Sequence, residues 1–213
     1  MAIRLNGSTS GYTEIDAPAV AGSNTLVLPT GNGTADQALV TNGSGALSFA
    51  DRGRMVLETA KAWNWNSLTT NTSIDFTGIP SWVKRITVMF RGVSLSGTSS
   101  YLIQLGAGSV QTTGYISTSL GQNSSGGAGG LNSTTGFALY TAVAAGIASG
   151  ALSLRLIDTN VWIADGNFKF STAELTSCAG DVSLSGTLDR VRITTVNGTD
   201  TFDAGSINIL YEG

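Results

Sequence analysis

The sequence predicts an all-β protein in which a short-stranded N-terminal segment precedes a jelly-roll-like β-sandwich. Charged residues make up 12% of the 213 residues, about half the usual share, and 28 residues are glycine. The apolar runs are short, turn signals separate them at regular intervals, and none shows sustained helical periodicity. A positive mean hydropathy and a net charge of only −3 exclude a disordered chain.

Residues 1–53 are predicted to form an attachment or stalk segment. Short strands are predicted at Tyr12–Ile15, Thr25–Leu28, Gln37–Val40 and Ala46–Phe49. Between the last two, Asn42-Gly43 predicts a hairpin turn, because both residues accept positive φ angles. Few large apolar side chains are present, and a domain of this size buries too little surface to be stable alone. We therefore expect the segment to pack against copies of itself; packing on the larger domain is the alternative.

Residues 54–213 are predicted to form the β-sandwich head. Longer strands are predicted in MVLETAK, TSIDF, VKRITVMFRGVSL, YLIQLG, GYIST, GFALYT, ALSLRLI, VWIADGNFKF, DVSLS, LDRVRITTV and INILYE. Alternation along the third of these places Ile86, Val88 and Phe90 on one face. Trp162 alternates with apolar neighbours and is expected in the core, as is the single cysteine, Cys178.

The composition excludes several kinds of catalysis. Histidine is absent, which removes the usual general base and the commonest transition-metal ligand. One cysteine forms neither an internal disulfide nor a thiolate zinc cluster. The clustered carboxylates Asp158, Asp165, Asp181 and Asp189 show no spacing that singles out a glycosidase pair. We therefore expect no enzymatic activity, no catalytic residues, no metal site and no cofactor.

The same sequence argues against two classes of partner. The longest apolar stretch, residues 137–148, is too short to span a bilayer, so no membrane insertion is expected. The slightly negative charge and the lack of a basic run argue against nucleic acid. The first residues lack the apolar core of a signal peptide, which predicts synthesis in a cytoplasm.

Two stretches offer side chains suited to sugars. Trp63 and Trp65 in WNWN would share one strand face, where they can stack on sugar rings; packing in the core or in a subunit interface is the alternative. Residues 121–133 carry five glycines and no charge, which predicts an exposed or mobile loop. Its amides Gln122, Asn123 and Asn132 are candidate contacts for a receptor or glycan; an ordinary loop is the alternative.

The C-terminal stretch, residues 194–213, contains a polar loop before its final apolar run. Asp200 and Asp203 match no calcium-loop pattern, and Asn197-Gly198 predicts a turn. Phe202 is expected to pack inward, and a final strand is expected to bury Ile207, Ile209 and Tyr211.

Several long blocks resemble fibre proteins of tailed bacteriophages. Residues 76–106 and 183–213, with the short motifs TTGY and TTGF, resemble a domain that recurs at the ends of such fibres. Residues 7–49, with a Gly-Ser-Thr stretch, Ala-Pro-Ala and an Asn-Gly-Ser-Gly turn, are similar to a segment that precedes many fibre heads.

The resemblance implies a virion structural protein, normally a homotrimer, made in the host cytoplasm. Its N-terminal segment would attach to another virion protein, and its head would contact a glycan or protein of the host surface. The alternative is a capsid-associated fibre or decoration protein with no host receptor.

Overall fold

A computed structural model describes residues 3–16, 19–20, 22–23, 25–35, 37–51, 53–62, 71–141, 146–170 and 174–213. The described residues form strands, turns and loops and contain no helix, as the sequence predicts. The chain divides into two compact units, residues 1–52 and 53–213, called here the N-terminal and C-terminal units. Since the described residues include no helix, none of them forms a helical membrane span.

The N-terminal unit consists of two separate hairpins. Strand β1 (Ile3–Asn6) pairs with β2 (Tyr12–Ile15), and β3 (Gln37–Thr41) pairs with β4 (Leu47–Asp51), both antiparallel. The predicted turn between β3 and β4 is confirmed. The side-chain oxygen of Asn42 accepts hydrogen bonds from the backbone N–H groups of Ser44 and Ala46, and Gly43 has φ of 81°.

One predicted strand of this unit is wrong. Within Thr25–Leu28 only Val27 forms a β-bridge, in parallel orientation with Ala46. A strand needs a partner alongside it over several residues, and here the pairing is a single bridge that is followed closely by Pro29, which has no backbone N–H to donate. Conversely, β1 lies in a stretch where no strand was predicted.

The C-terminal unit contains fourteen strands among its described residues. They are β5 (Met55–Leu57), β6 (Lys61–Ala62), β7 (Ile74–Thr77), β8 (Arg85–Leu95), β9 (Tyr101–Ala107), β10 (Ser109–Val110), β11 (Tyr115–Asn123), β12 (Ala128–Ser133), β13 (Phe137–Leu139), β14 (Ala148–Asp158), β15 (Val161–Phe170), β16 (Glu174–Ser183), β17 (Arg190–Thr195) and β18 (Phe202–Glu212).

These strands form two antiparallel sheets. The larger has nine strands in the order β12-β11-β16-β15-β14-β8-β18-β5, with β6 also paired to β18. The smaller has five strands in the order β10-β9-β17-β7, with β13 paired to β9. Within the large sheet β14, β15 and β16 follow one another as a meander, so the chain adds three neighbouring strands before it returns to the small sheet.

Aromatic side chains join the two sheets into a sandwich. Phe90 of the large sheet meets Tyr101 of the small sheet edge to face, with ring centroids 5.5 Å apart. Towards the other end of the sandwich, Tyr115 meets Phe137 in the same way at 5.1 Å. Each fully buried large apolar side chain contributes roughly 1.5–3 kcal/mol, so this shared core holds the sheets face to face.

The core confirms several sequence predictions. Ile86, Val88 and Phe90 are buried along β8, while the residues between them are more exposed. Trp162, Cys178 and Phe202 are also buried. The inward-facing side chains predicted for the last strand, Ile207, Ile209 and Tyr211, are buried along β18.

Residues 121–133 are largely exposed, as predicted, but the prediction that they form a loop is wrong. Strand β11 continues to Asn123, β12 begins at Ala128, and six residue pairs join them as a hairpin with a turn at 124–127. The hairpin forms because ladder hydrogen bonds need only backbone groups, which glycines supply as well as other residues do. Prediction from side-chain pattern therefore misses a glycine-rich edge strand.

Candidate functional site

The candidate amides predicted from the sequence lie on one structural element but face different ways. Gln122, Asn123 and Asn132 all belong to the β11–β12 hairpin and are exposed. Gln122 alternates with Gly121 and Asn123, so its side chain points to the opposite side of the sheet. Asn132 is held on that side by Thr118, whose hydroxyl donates to the Asn132 side-chain oxygen at 3.0 Å. The other two candidates, Trp63 and Trp65, lie outside the described residues.

Asn123 anchors the tip of the hairpin. Its Oδ1 accepts hydrogen bonds from the backbone N–H groups of Ser125 at 3.0 Å and Gly127 at 2.8 Å. Gly126 occupies the left-handed region with φ of 84°, which lets the chain turn back. Because these contacts use Oδ1, the Asn123 side chain presents its Nδ2 donors to whatever lies beside it.

A pocket of about 240 Å³ opens beside this tip. It is lined by Gly121, Asn123, Gly127, Ala128, Gly129, Tyr140 and Glu174 and is called here the hairpin pocket. The residues come from β11, from β12 and the turn before it, from the residue that follows β13, and from the first residue of β16. Strand pairing explains part of this convergence, since Asn123 and Glu174 are direct partners in the β11–β16 ladder.

Glycines allow the other side chains of the pocket to reach the hairpin backbone. A Cβ atom at Gly121 would lie 2.5 Å from Glu174 Oε1 and 2.8 Å from Tyr140 Cδ1. At Gly129 it would lie 2.5 Å from Tyr140 Cζ and 2.9 Å from Tyr140 Cε1. Any larger residue at either position would displace the tyrosine ring, so the two glycines set the shape of the pocket.

Hydrogen bonds fix Tyr140 and Glu174 in position. The Tyr140 backbone N–H donates to Ser119 Oγ at 3.1 Å, and its carbonyl accepts from Thr176 Oγ1 at 2.8 Å. Glu174 is only 6% exposed, and its Oε2 accepts from Thr141 Oγ1 at 3.5 Å. The pocket therefore combines a buried carboxylate, an aromatic ring with a hydroxyl, and an amide whose donors remain available.

This combination suits binding through hydrogen bonds. Among the residues that the structure describes, no three His, Cys, Asp or Glu side chains come together as metal ligands. A carboxylate accepts hydrogen bonds, an amide nitrogen donates them, and a phenol does both, while the ring offers an apolar face. A small ligand rich in hydroxyl groups satisfies all of these groups at once.

Tyr140 and Glu174 were not among the candidates from sequence. Tyr140 lies in GFALYT, where the pattern indicates a core strand, and Glu174 starts a strand whose first half was not predicted. The one sequence signal that could have identified Glu174 is its position as a single carboxylate just before residues that alternate between buried and exposed. Its partners in the pocket are more than thirty residues away, so their proximity depends on the sheet topology.

A second, larger hollow in the C-terminal unit has a structural explanation. It measures about 400 Å³ and is lined by residues that include Arg54, Lys84, Arg85 and Glu212. Arg85 pairs with Glu212 at 3.5 Å, and the Lys84 backbone N–H donates to the Glu212 carbonyl at 2.8 Å. These contacts hold the end of the last strand in the sheet.

Comparison with known proteins found no matching family, no matching curated protein and no matching solved structure.

Proposed function

We propose that this chain is a structural protein of a phage virion, a homotrimeric tail fibre whose head contacts the host cell surface. The sequence resemblance motivates the class, and one structural observation carries the proposal. The two units differ in the burial of their apolar side chains. The C-terminal unit buries many of them in a core, whereas none of the side chains described in the N-terminal unit is buried.

The exposed apolar side chains of the N-terminal unit are numerous for its size. Ten large ones are more than a third exposed: Ile3, Leu5, Tyr12, Ile15, Val20, Leu26, Val27, Leu28, Leu39 and Val40. Exposed apolar side chains in such number mark an interaction surface. A fibre stalk provides the cover, because copies of one chain placed side by side bury these residues against each other.

The first hairpin shows the pattern most clearly. Residues Ile3, Leu5 and Ile15 share one face of the β1–β2 ladder, and the other face carries the ion pair of Arg4 and Glu14 at 2.7 Å. An isolated two-stranded hairpin is marginal in water. Its apolar face therefore needs a partner, which in this proposal is a second copy of the chain or the virion protein to which the fibre attaches.

In this proposal the head acts by adhesion to a host glycan or protein and not by catalysis. It uses neither cofactor nor nucleic acid, and it does not insert into a membrane. The hairpin pocket, at one end of the large sheet, supplies groups suited to a glycan.

Labelling of intact virions tests the location. Antibodies against the full chain are expected to bind the tail fibres when particles are viewed by electron microscopy. Fluorescently labelled full-length protein is expected to bind host cells in a saturable way. Antibody on the capsid, together with no binding to host cells, would favour the decoration protein instead and overturn the tail-fibre proposal.

A further inference from the structure

We propose that the hairpin pocket binds a single pyranose that carries no acidic group, the terminal sugar of a surface glycan. The source of the sugar rests on the proposed function, whereas the chemistry of the pocket stands on the geometry alone. Four observations carry it: volume, polar groups, glycine contacts and rigidity.

The volume fits one sugar ring. Pockets for drug-sized ligands measure roughly 300–1,000 Å³, and the hairpin pocket measures about 240 Å³. A second sugar ring would not fit inside this volume together with the first. The pocket therefore selects the residue at the end of a glycan chain.

The polar groups match hydroxyls and disfavour negative charge. Glu174 supplies acceptor oxygens, and Asn123 supplies Nδ2 donors because its Oδ1 is already engaged by the hairpin turn. A sugar hydroxyl donates and accepts, so adjacent hydroxyls can satisfy both residues. A carboxylate or phosphate on the ligand would instead face the buried Glu174 carboxylate, which discriminates against acidic sugars.

The glycines and the aromatic ring suit the shape of a sugar. Gly121 and Gly129 let the Tyr140 ring lie directly on the hairpin backbone, so the ring forms one wall of the pocket. Tyr140 borders the same space and offers apolar ring surface to the C–H groups of a pyranose.

The pocket is preformed, because hydrogen bonds within the protein hold its side chains in place. Ser119 and Thr176 hold the Tyr140 backbone, Thr141 contacts Glu174, and the turn contacts fix Asn123. A preformed site loses less conformational entropy on binding, which matters most for a ligand as small as one sugar.

Saturation-transfer NMR on the full-length protein tests the proposal with defined probes. The probes are the methyl glycosides of glucose, galactose, mannose and N-acetylglucosamine, with the methyl glycoside of glucuronic acid as the acidic counterpart. At least one neutral glycoside is expected to bind with a Kd on the order of millimolar, and glucuronic acid at least tenfold more weakly. Equal or tighter binding of the acidic sugar, or no binding of any neutral glycoside, overturns the proposal.

Variants locate the site. Glu174→Gln and Gly129→Ala are expected to weaken binding of the neutral glycoside at least tenfold, the first through the lost carboxylate and the second through displacement of Tyr140. Tyr140→Phe keeps the ring and is expected to lose less. Leu120→Ala changes an exposed side chain on the same strand but on the opposite face, and is expected to bind as the parent does. Circular dichroism verifies the fold of each variant, and unchanged affinity in both folded Glu174→Gln and folded Gly129→Ala contradicts the site.

Binding to host cells separates this inference from the proposed function. If cells bind the parent and Glu174→Gln equally, adhesion stands and the pocket is not its site. If the neutral glycoside binds the pocket and no cells are bound, the sugar site stands and the role in host contact fails.

Discussion

Three tyrosines of the C-terminal unit have a pKa that the folded structure raises. Burial raises the pKa of Tyr115 to about 12, and its hydrogen bond with Leu105 offsets part of that rise. Burial also raises the pKa of Tyr101 far above its usual range, with a smaller contribution from Asp203. For Tyr211, burial and then the hydrogen bond to Glu58 raise the pKa to about 12.

We expect the free energy of unfolding to fall in alkali. A raised pKa in the folded state contributes stability that is complete below the unfolded pKa of about 10 and is lost as the pH rises through about 12. The loss amounts to about 1.4 kcal/mol per pH unit for Tyr115. Urea unfolding at pH 8, 10 and 11, followed by the fluorescence of the tryptophans, measures it. Tyr115→Phe should show a shallower decline, and a profile that is flat to pH 11 would contradict this account.

Cys178 is expected to be unreactive in the folded protein. Burial raises the pKa of its thiol to about 11, and a hydrogen bond with Ser117 lowers it by less. Since the thiolate is the reactive form, iodoacetamide at pH 8 should leave Cys178 unmodified in buffer and alkylate it in denaturant. Mass spectrometry gives the extent of alkylation. Similar rates in both conditions would show that the strand opens readily.

Glycine has two distinct roles in the strands and turns of the C-terminal unit. Gly205 lies at a register shift between β18 and β8 with φ of 90°, and a Cβ atom there would lie 2.6 Å from Val93 Cα. Gly198 follows β17 in a turn with φ of 68°, and a Cβ atom there would meet nothing within 4 Å.

Alanine substitutions at Gly198 and Gly205 distinguish the cost of a left-handed backbone from the cost of a steric clash. Gly198→Ala should cost about 1–2 kcal/mol, the cost of a left-handed backbone with a side chain. Gly205→Ala should cost clearly more, because the new methyl group meets the backbone of β8. Chemical denaturation of both variants gives the two changes in the free energy of unfolding. Equal changes would mean that the backbone at the register shift moves to accept the methyl group at no cost in stability.

Sequence patterns predicted those elements whose signal is local. Strand β15 was predicted at its observed bounds, because VWIADGNFKF carries its own alternation and turn signals flank it. Strand β12 was missed, because AGGLNS has few side chains to show a pattern and depends on β11 as its partner. The residues of the hairpin pocket also differ in whether a local sequence signal reveals them. Asn123 was named from its residue type, whereas Tyr140 and Glu174 reach it through pairings between distant parts of the chain.

At the scale of the whole molecule, the proposal requires self-association. Light scattering of the full-length protein should give a mass of about 65 kDa, three times the chain mass of 21.8 kDa. The double substitution Leu5→Ser and Ile15→Ser removes apolar surface from one face of the first hairpin and should shift the protein towards monomer. Asn6→Ser, on the other face, serves as the control. A monomer at every concentration would contradict the stalk.

The position of β18 links the folding of the C-terminal unit to the order of its synthesis. This strand pairs with β8 on one side and with β5 and β6 on the other, and Gly213 exchanges backbone hydrogen bonds with Arg54. The strands β5, β6 and β8 of this unit are synthesised early, and the edges that pair with β18 stay unpaired until β18 has been made. Ribosomes that stall before residue 202 would release chains with open edges on β5, β6 and β8, and such chains are prone to aggregate.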